Sequence, residues 1–284
     1  MRDYKGLCNR LLVSDDTLTE EDKRFYHLKD ICMEEYHNRN LVVPIGRINS
    51  KENVFLDFSS VSGLFIGGAT GTGKSIMIDD IIVSLMLKNN AHDVKFVFLE
   101  PYSVELGEYN GINYIYNNPK ESVTKEKKAK TILMDILWLM EIRTDTLMEG
   151  HYASIKSYNR ANKEKWPHLF IIIDEGFKII RNYDVQTILD RILDCGEPLG
   201  IHLIYATNAY LKDYGSFINK FKYRMSFDMA SDEQAKYIDI KKANWLKDSG
   251  EAIIKGKDTG AYKFQAPFVS SGEIKKIVLE VGKK

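Results

Sequence analysis

The residues best suited to chemistry are the nine from Gly67 to Ser75, GGATGTGKS, which combine four glycines with a lysine and a hydroxyl. Glycines let a backbone fold tightly enough for successive N–H groups to face one anion, and a helix beginning just afterwards adds its positive end. Gly68, Gly73, Lys74 and Ser75 match the spacing GxxxxGK[ST], with Ala69, Thr70, Gly71 and Thr72 between them. An apolar strand, LFIG, precedes the run and a helical segment, IMIDDIIVSLMLKN, follows it, which is the context a phosphate-binding loop requires. The expected ligands are ATP and Mg²⁺: Lys74 reaches the β and γ phosphates, and the Ser75 hydroxyl holds the metal.

Such a loop needs an acidic partner at the end of a neighbouring strand. LFIIIDE supplies Asp174 and Glu175 after a run of apolar residues. Asp174 is the expected second metal residue, and Glu175 the group that orients and deprotonates the attacking water. An Asp–Glu pair at a strand end also serves as a helix cap, a role the phosphate loop makes secondary here. A third element is GIHLIYATN, whose end places Thr207 and Asn208 where a polar side chain senses the γ-phosphate or the water. As a lone residue, Asn208 serves equally well as a turn former.

These residues need a scaffold. The chain has 284 residues, 44% hydrophobic and 28% charged, enough for one large α/β domain and a small appendage. Lys+Arg and Asp+Glu are equal at 40 each, so no global field draws the molecule to a polyanion, and any such partner must meet a local patch. Cys8, Cys32 and Cys195 are widely separated, with no zinc-site or disulfide pattern, which suits reduced thiols in a cytoplasmic protein. No apolar run approaches the roughly 20 residues that span a bilayer, and the N-terminus lacks a signal-peptide core. Recruitment to the inner face of the membrane would then need a partner.

Strands and helices alternate from residue 41 onward. GLFIGG, VKFVFLE, HLFIIIDE and GIHLIYAT read as buried strands, and helices are expected over 74–89, 121–145 and 184–195. Near-continuous apolar strands separated by helices predict a mainly parallel central sheet covered on both faces. LVVPIGRINSKENVFLDF predicts short strands broken at Pro44, Gly46 and the turn at 49–53, and YRMSFDMA, GEAIIKG and AYKFQAPF are late strand candidates. Helical spacing of Phe25, Leu28, Ile31, Cys32 and Tyr36 predicts an amphipathic helix over 19–37. The expected organisation is a helical N-terminal extension, 1–40, and an ATPase domain, 41–284.

GATGTGKS, VKFVFLEP, LGEYNGI, FIIIDE and GIHLIYATN occur in an order that resembles the FtsK/SpoIIIE group of motor ATPases. Glu105-Leu106 and the segment 109–112 are similar to its ELxxYxGI stretch, and 140–159 matches its helix and following YN. The resemblance implies a RecA-like P-loop NTPase that assembles as a hexamer and moves a polymer through a central channel. Within the group are chromosome translocases, conjugative coupling proteins and EssC-type motors of type VII secretion. The leading expectation is a DNA translocase or coupling protein of a mobile element; the alternatives are a protein-secretion ATPase and a slow nucleotide-binding assembly module. Partners in a membrane-anchored conjugation or secretion machinery are implied as well. Two commonly basic positions are lost, at Glu197-Pro198-Leu199-Gly200 and at Thr207-Asn208-Ala209-Tyr210.

Ring ATPases complete each site with an arginine from the next subunit. Arg143, in LMEIRTD, matches the family's Glu-Arg-Arg segment and is the first expectation, against an ordinary helix-surface role; Arg224 and Lys236 are further candidates. Lys156, Arg160, Lys163 and Lys165 form a basic stretch that either contacts double-stranded DNA without reading bases or is a solvated face. Lys178 and Arg181 form a second, smaller cluster. Tyr152, Tyr158 and Trp166 lie among the first set and serve either for stacking or for the core.

Overall fold

The computed structural model describes residues 7–8, 11–12, 27–34, 40–49, 52–100, 105–117, 119–177, 179–208, 212, 215–246, 249–257 and 260–283. In chain order the elements are α1 (Leu28–Glu34), β1 (Val42–Asn49), β2 (Glu52–Asp57), β3 (Gly63–Gly67), α2 (Lys74–Lys88), β4 (Val94–Leu99), α3 (Glu126–Glu149), α4 (Ile155–Ala161), β5 (His168–Ile173), α5 (Tyr183–Leu199), β6 (Ile201–Thr207), α6 (Gly215–Ile218), β7 (Tyr223–Ser226), α7 (Asp232–Tyr237), β8 (Glu251–Gly256), β9 (Ala261–Gln265) and α8 (Ser271–Glu280). Short 3₁₀ turns lie at Phe58–Ser60, Glu105–Tyr109, Ile179–Arg181 and Ala243–Trp245.

The nine strands form one sheet in the order β2-β1-β9-β8-β7-β3-β6-β5-β4. From β7 to β4 all pairings are parallel, with β3 between β6 and β7; from β7 to β2 all are antiparallel. The carboxyl ends of five parallel strands therefore share one edge, where such sheets bind ligands.

Both faces of the parallel part are buried, which explains its apolar strands. Phe96, Phe98, Phe170 and Ile172 face the side covered by α2, whose Met77, Ile81 and Leu85 share their core. Val97, Leu99, Ile171 and Ile173 face the opposite side, where α3 contributes Ile136 and Met140 and α5 contributes Leu189 and Ile192. Helix α8 packs against α2. At the N-terminus, Cys8, Leu11, Leu12 and Leu28 enter the α2-side core, and the Leu28 N–H donates to the Phe268 carbonyl at 3.0 Å. The helix expected over 19–37 is seen as α1; Phe25 and Tyr36 lie outside the described residues.

Three expectations change. Pro44 and Gly46 do not break β1, which runs past both with a register shift between them. Gly46 has φ 153°, and a Cβ there would sit 2.3 Å from the Gln265 carbonyl oxygen, so glycine lets β1 approach β9 closely. Helix α3 spans Glu126–Glu149, not 121–145, and α5 continues through Pro198 to Leu199, ending on Gly200 in the left-handed conformation (φ 69°). Among the described residues, no helix is long and apolar enough to cross a membrane.

Candidate nucleotide site

The phosphate-loop segment joins the end of β3 to the first residue of α2, Lys74, as its strand-loop-helix context requires. Gly68, Gly71 and Gly73 have φ of 156°, 80° and 118°. At Gly68 a Cβ would meet the Phe227 Cβ at 2.8 Å and Thr72 Oγ1 at 2.9 Å, so no larger residue fits that turn. The loop is braced from β7: the Ala69 N–H donates to the Asp228 carbonyl at 2.8 Å, and the Phe227 N–H to the Gly67 carbonyl at 2.9 Å. Thr72 Oγ1 closes it from inside by donating to the Ala69 carbonyl at 2.8 Å.

Lys74 is 5% exposed, and burial lowers its pKa, with Glu175, Asp174 and Glu105 opposing the shift. Its ammonium donates to the Ala69 carbonyl at 3.0 Å and lies 3.9 Å from Glu175 Oε1. The side chain thus spans the space from the loop to the acidic pair.

Asp174 and Glu175 follow β5. Asp174 is 2% exposed, and burial raises its pKa to about 7, helped by the neighbouring charges of Glu175 and Glu105. Its Oδ1 is buried and has no hydrogen-bond partner within the protein. A buried carboxylate oxygen in that condition costs free energy unless a cation or donor meets it. Glu175 has φ 52°, a left-handed backbone that aims its side chain back at the loop, and such strain gathers at functional sites. Asn208 follows β6; its N–H donates to Glu175 Oε2 at 3.1 Å, and its Nδ2 donates to Thr70 Oγ1 at 3.1 Å.

Three residues had weak or no signal in the sequence. Asp79 lies one helical turn beyond Ser75 and accepts from the Tyr109 hydroxyl at 2.8 Å; burial raises its pKa to about 7. Helical spacing from Ser75 could have marked Asp79, whereas Tyr109 was visible only through the resemblance. Asp228 acts through its backbone carbonyl, which leaves no side-chain signature.

The residues present fit ATP with Mg²⁺. The Ser75 hydroxyl stands at the N-terminal end of α2, and Asp174 offers an unpartnered oxygen. Among the described residues no three His, Cys, Asp or Glu side chains form a metal cage.

Arg143 is placed elsewhere. It is 3% exposed, its guanidinium donates to the carbonyls of Leu199 (2.6 Å) and Pro167 (3.0 Å), and it lies 5.3 Å from the centroid of the Trp166 ring. Pro167 precedes β5 and Asp174 follows it, so Arg143 sits at the far end of the strands, about 20 Å from the loop by strand rise. Within the single chain the guanidinium is turned inward to these carbonyls. Arg224 is also buried, donating to Asn219 Oδ1 at 2.6 Å and Asp239 Oδ2 at 3.2 Å, whereas Lys236 is exposed on α7.

Lys156, Arg160, Lys163 and Lys165 are all exposed, on α4 and the turn after it, at that same far end of the strands. The aromatic residues among them pack with each other: Tyr158 stacks on Trp166 at 3.8 Å, and Tyr152 meets Tyr158 edge-on at 5.4 Å. Arg181 is exposed; Lys178, Ala209 and Tyr210 lie outside the described residues.

A parallel sheet carrying this loop and acidic pair at its carboxyl edge defines a P-loop NTPase. The FtsK/SpoIIIE family model matches residues 28–236, most of the chain, and the protein belongs to that family. It is 30% identical over 260 residues to a protein of Listeria monocytogenes named DNA translocase FtsK, covering 85% of this chain and 34% of that one. The chain thus spans about a third of the length of that relative. Two solved structures share its fold. The cytoplasmic domain of the Thermomonospora curvata type VII secretion ATPase EccC has a TM-score of 0.77 at 21% identity, over 88% of this chain and 32% of the other. The pCW3 conjugation coupling protein TcpA, in a monomer form with ATPγS, has a TM-score of 0.72 at 16% identity, over 86% and 71%.

Proposed function

We propose that this chain is the motor domain of a cytoplasmic DNA translocase, hydrolysing ATP with Mg²⁺ as a member of a hexameric ring. One observation carries the catalytic part: Glu175 is aimed at the phosphate loop by its own left-handed backbone and by the Asn208 N–H, with Lys74 and Asp174 beside it. Lys74 exchanges its Ala69 carbonyl for phosphate oxygens, a stronger, charge-assisted partner. Glu175 takes the proton of the attacking water, and Asn208 keeps that carboxylate facing the loop. Ser75 and Asp174 would hold Mg²⁺, which supplies charge neutralisation at the phosphates.

The cargo reading is supported by the family relative named a DNA translocase and by the exposed basic stretch from Lys156 to Lys165. Contacts of that kind grip phosphates without reading sequence. ATP turnover is therefore expected to rise with double-stranded DNA of any sequence. The test measures phosphate release with DNA and, in parallel, with a helical peptide of the secreted type. Stimulation by peptide with none by DNA turns the assignment to a secretion motor. Turnover that stays slow with both turns it to an assembly module.

A further inference from the structure

Over β8 and β9, on the sheet face opposite α2, lies a cavity of about 390 Å³. Leu246, Ile253 and Ala261 form its apolar floor. Trp245, 61% exposed, is one wall. Lys241, Lys242 and Lys263 stand around it.

Its charge is mostly basic. Asp239 answers Arg224 and Lys255 and lies in the field of Lys241, and Glu251 answers Lys263. Lys241 and Lys242, both exposed, make no ion pair among the described residues. Lys242 also has φ 69°, a left-handed conformation that disfavours a side chain, and that backbone carries its ammonium to 5.3 Å from the centroid of the Trp245 ring. Neighbouring residues link the wall to the phosphate loop. The Met229 N–H donates to the Ala243 carbonyl at 3.3 Å, a Cβ on Gly67 would lie 2.6 Å from the Met229 methyl, and the Gly250 N–H donates to the Thr72 carbonyl at 3.3 Å.

An aromatic wall, an apolar floor and two adjacent ammonium groups with no ion pair among the described residues complement a flat heteroaromatic ring that carries phosphate. An acidic peptide would satisfy the lysines but offer the indole no ring in place of the Lys242 ammonium. We infer that this cavity is a nucleotide-recognition pocket, with a base against Trp245 and phosphate held by Lys241 and Lys242. That chemistry has two sources: the base end of ATP seated on the adjoining loop, or one nucleotide of a single strand. The first source rests on the ATPase reading above, and the second does not.

The experiment uses the full chain and the variants Trp245→Ala, Lys242→Gly and Lys241→Ala/Lys242→Gly, with Trp138→Ala, which removes an exposed indole on α3, as control. Affinity is measured for ATP with Mg²⁺, for a labelled oligothymidylate in saturating ADP with Mg²⁺, and for polyglutamate. Base stacking is worth about 1–3 kcal/mol, so Trp245→Ala should weaken one nucleotide arm roughly fivefold or more, with Lys242→Gly acting in the same arm. Because φ 69° suits glycine, Lys242→Gly should fold at least as well as wild type, which keeps the test open if Trp245→Ala melts early. A loss confined to ATP assigns the pocket to its base; a loss confined to the oligothymidylate assigns it to a strand. Both nucleotide arms within twofold of wild type, or weakening of polyglutamate alone, overturns the proposal. Lys74→Ala run alongside tells a failed phosphate-loop assignment from a failed pocket.

Discussion

The backbone N–H of Asn208 donates to Glu175 Oε2 at 3.1 Å, joining the end of β6 to the residue that follows Asp174 after β5. The Asn208 side-chain amide continues the link to Thr70 in the phosphate loop. Removing that amide leaves the loop and the acid in place but frees one from the other. Asn208→Ala should lower kcat about tenfold with little change in KM, as expected for loss of orientation and not of binding. A KM effect without a kcat effect would show that Asn208 serves ground-state binding instead.

Lys74 and Glu175 should separate binding from chemistry. Lys74→Ala removes the charge that meets phosphate, so nucleotide titration should show little ATP binding. Glu175→Gln keeps the shape and loses the base, so binding persists while phosphate release falls by about 10²-fold or more. Equal ATP affinity in wild type and Lys74→Ala would sink the phosphate-loop assignment.

Arg143 should prove structural. Arg143→Ala leaves the Leu199 and Pro167 carbonyls without their donor, at about 1–3 kcal/mol for each buried group, so thermal melts should show a clear fall in midpoint. Turnover per folded molecule should keep the wild-type dependence on protein concentration. Unchanged stability with loss of the concentration-dependent part of turnover would instead restore a role across subunits.

The raised pKa values of Asp174 and Asp79, about 7 each, make a pH prediction. Between pH 4 and 7 the unfolded chain has already released protons that the fold still holds. These two groups therefore subtract stability as pH rises through that window, whereas buried His168 and His202, with pKa values lowered to about 3 and about 4, add it up to the ordinary histidine range, so the aspartate contribution is read from variants compared with wild type. Asp174→Asn and Asp79→Asn should each remove part of that loss. Melting temperatures from pH 5 to 8 check this, and variant profiles that run parallel to wild type would refute it.

Replacing Lys156, Arg160, Lys163 and Lys165 together by alanine should reduce the slope of log affinity against log salt for double-stranded DNA by up to roughly 3 to 4, since each phosphate contact contributes about 0.9. All four are exposed, so thermal stability should hold. An unchanged slope would make this stretch a solvated face.

The nucleotide site was legible because its parts are local. Gly68 to Ser75 act through consecutive backbone groups, and Asp174 and Glu175 follow an apolar strand, so spacing alone places them at strand ends. Long-range packing decided the rest. Arg143 lies on a helix in a familiar segment, yet its position follows from Leu199 and Pro167, which the sheet brings together from separate parts of the chain. β1 continues past Pro44 because it pairs with β2 on either side, Pro44 against Phe55 and Gly46 against Val54, and Gly46 lets β9 lie close. The basic cavity is built from 241–246, β8 and β9, so no single window of sequence contains it. The sequence by itself determined the order of the parallel core's elements and the chemistry at one edge, because those rest on local periodicity and backbone conformation. Only the tertiary structure decided which charged side chains are buried and which remain exposed, because burial depends on neighbours that sequence spacing does not reveal.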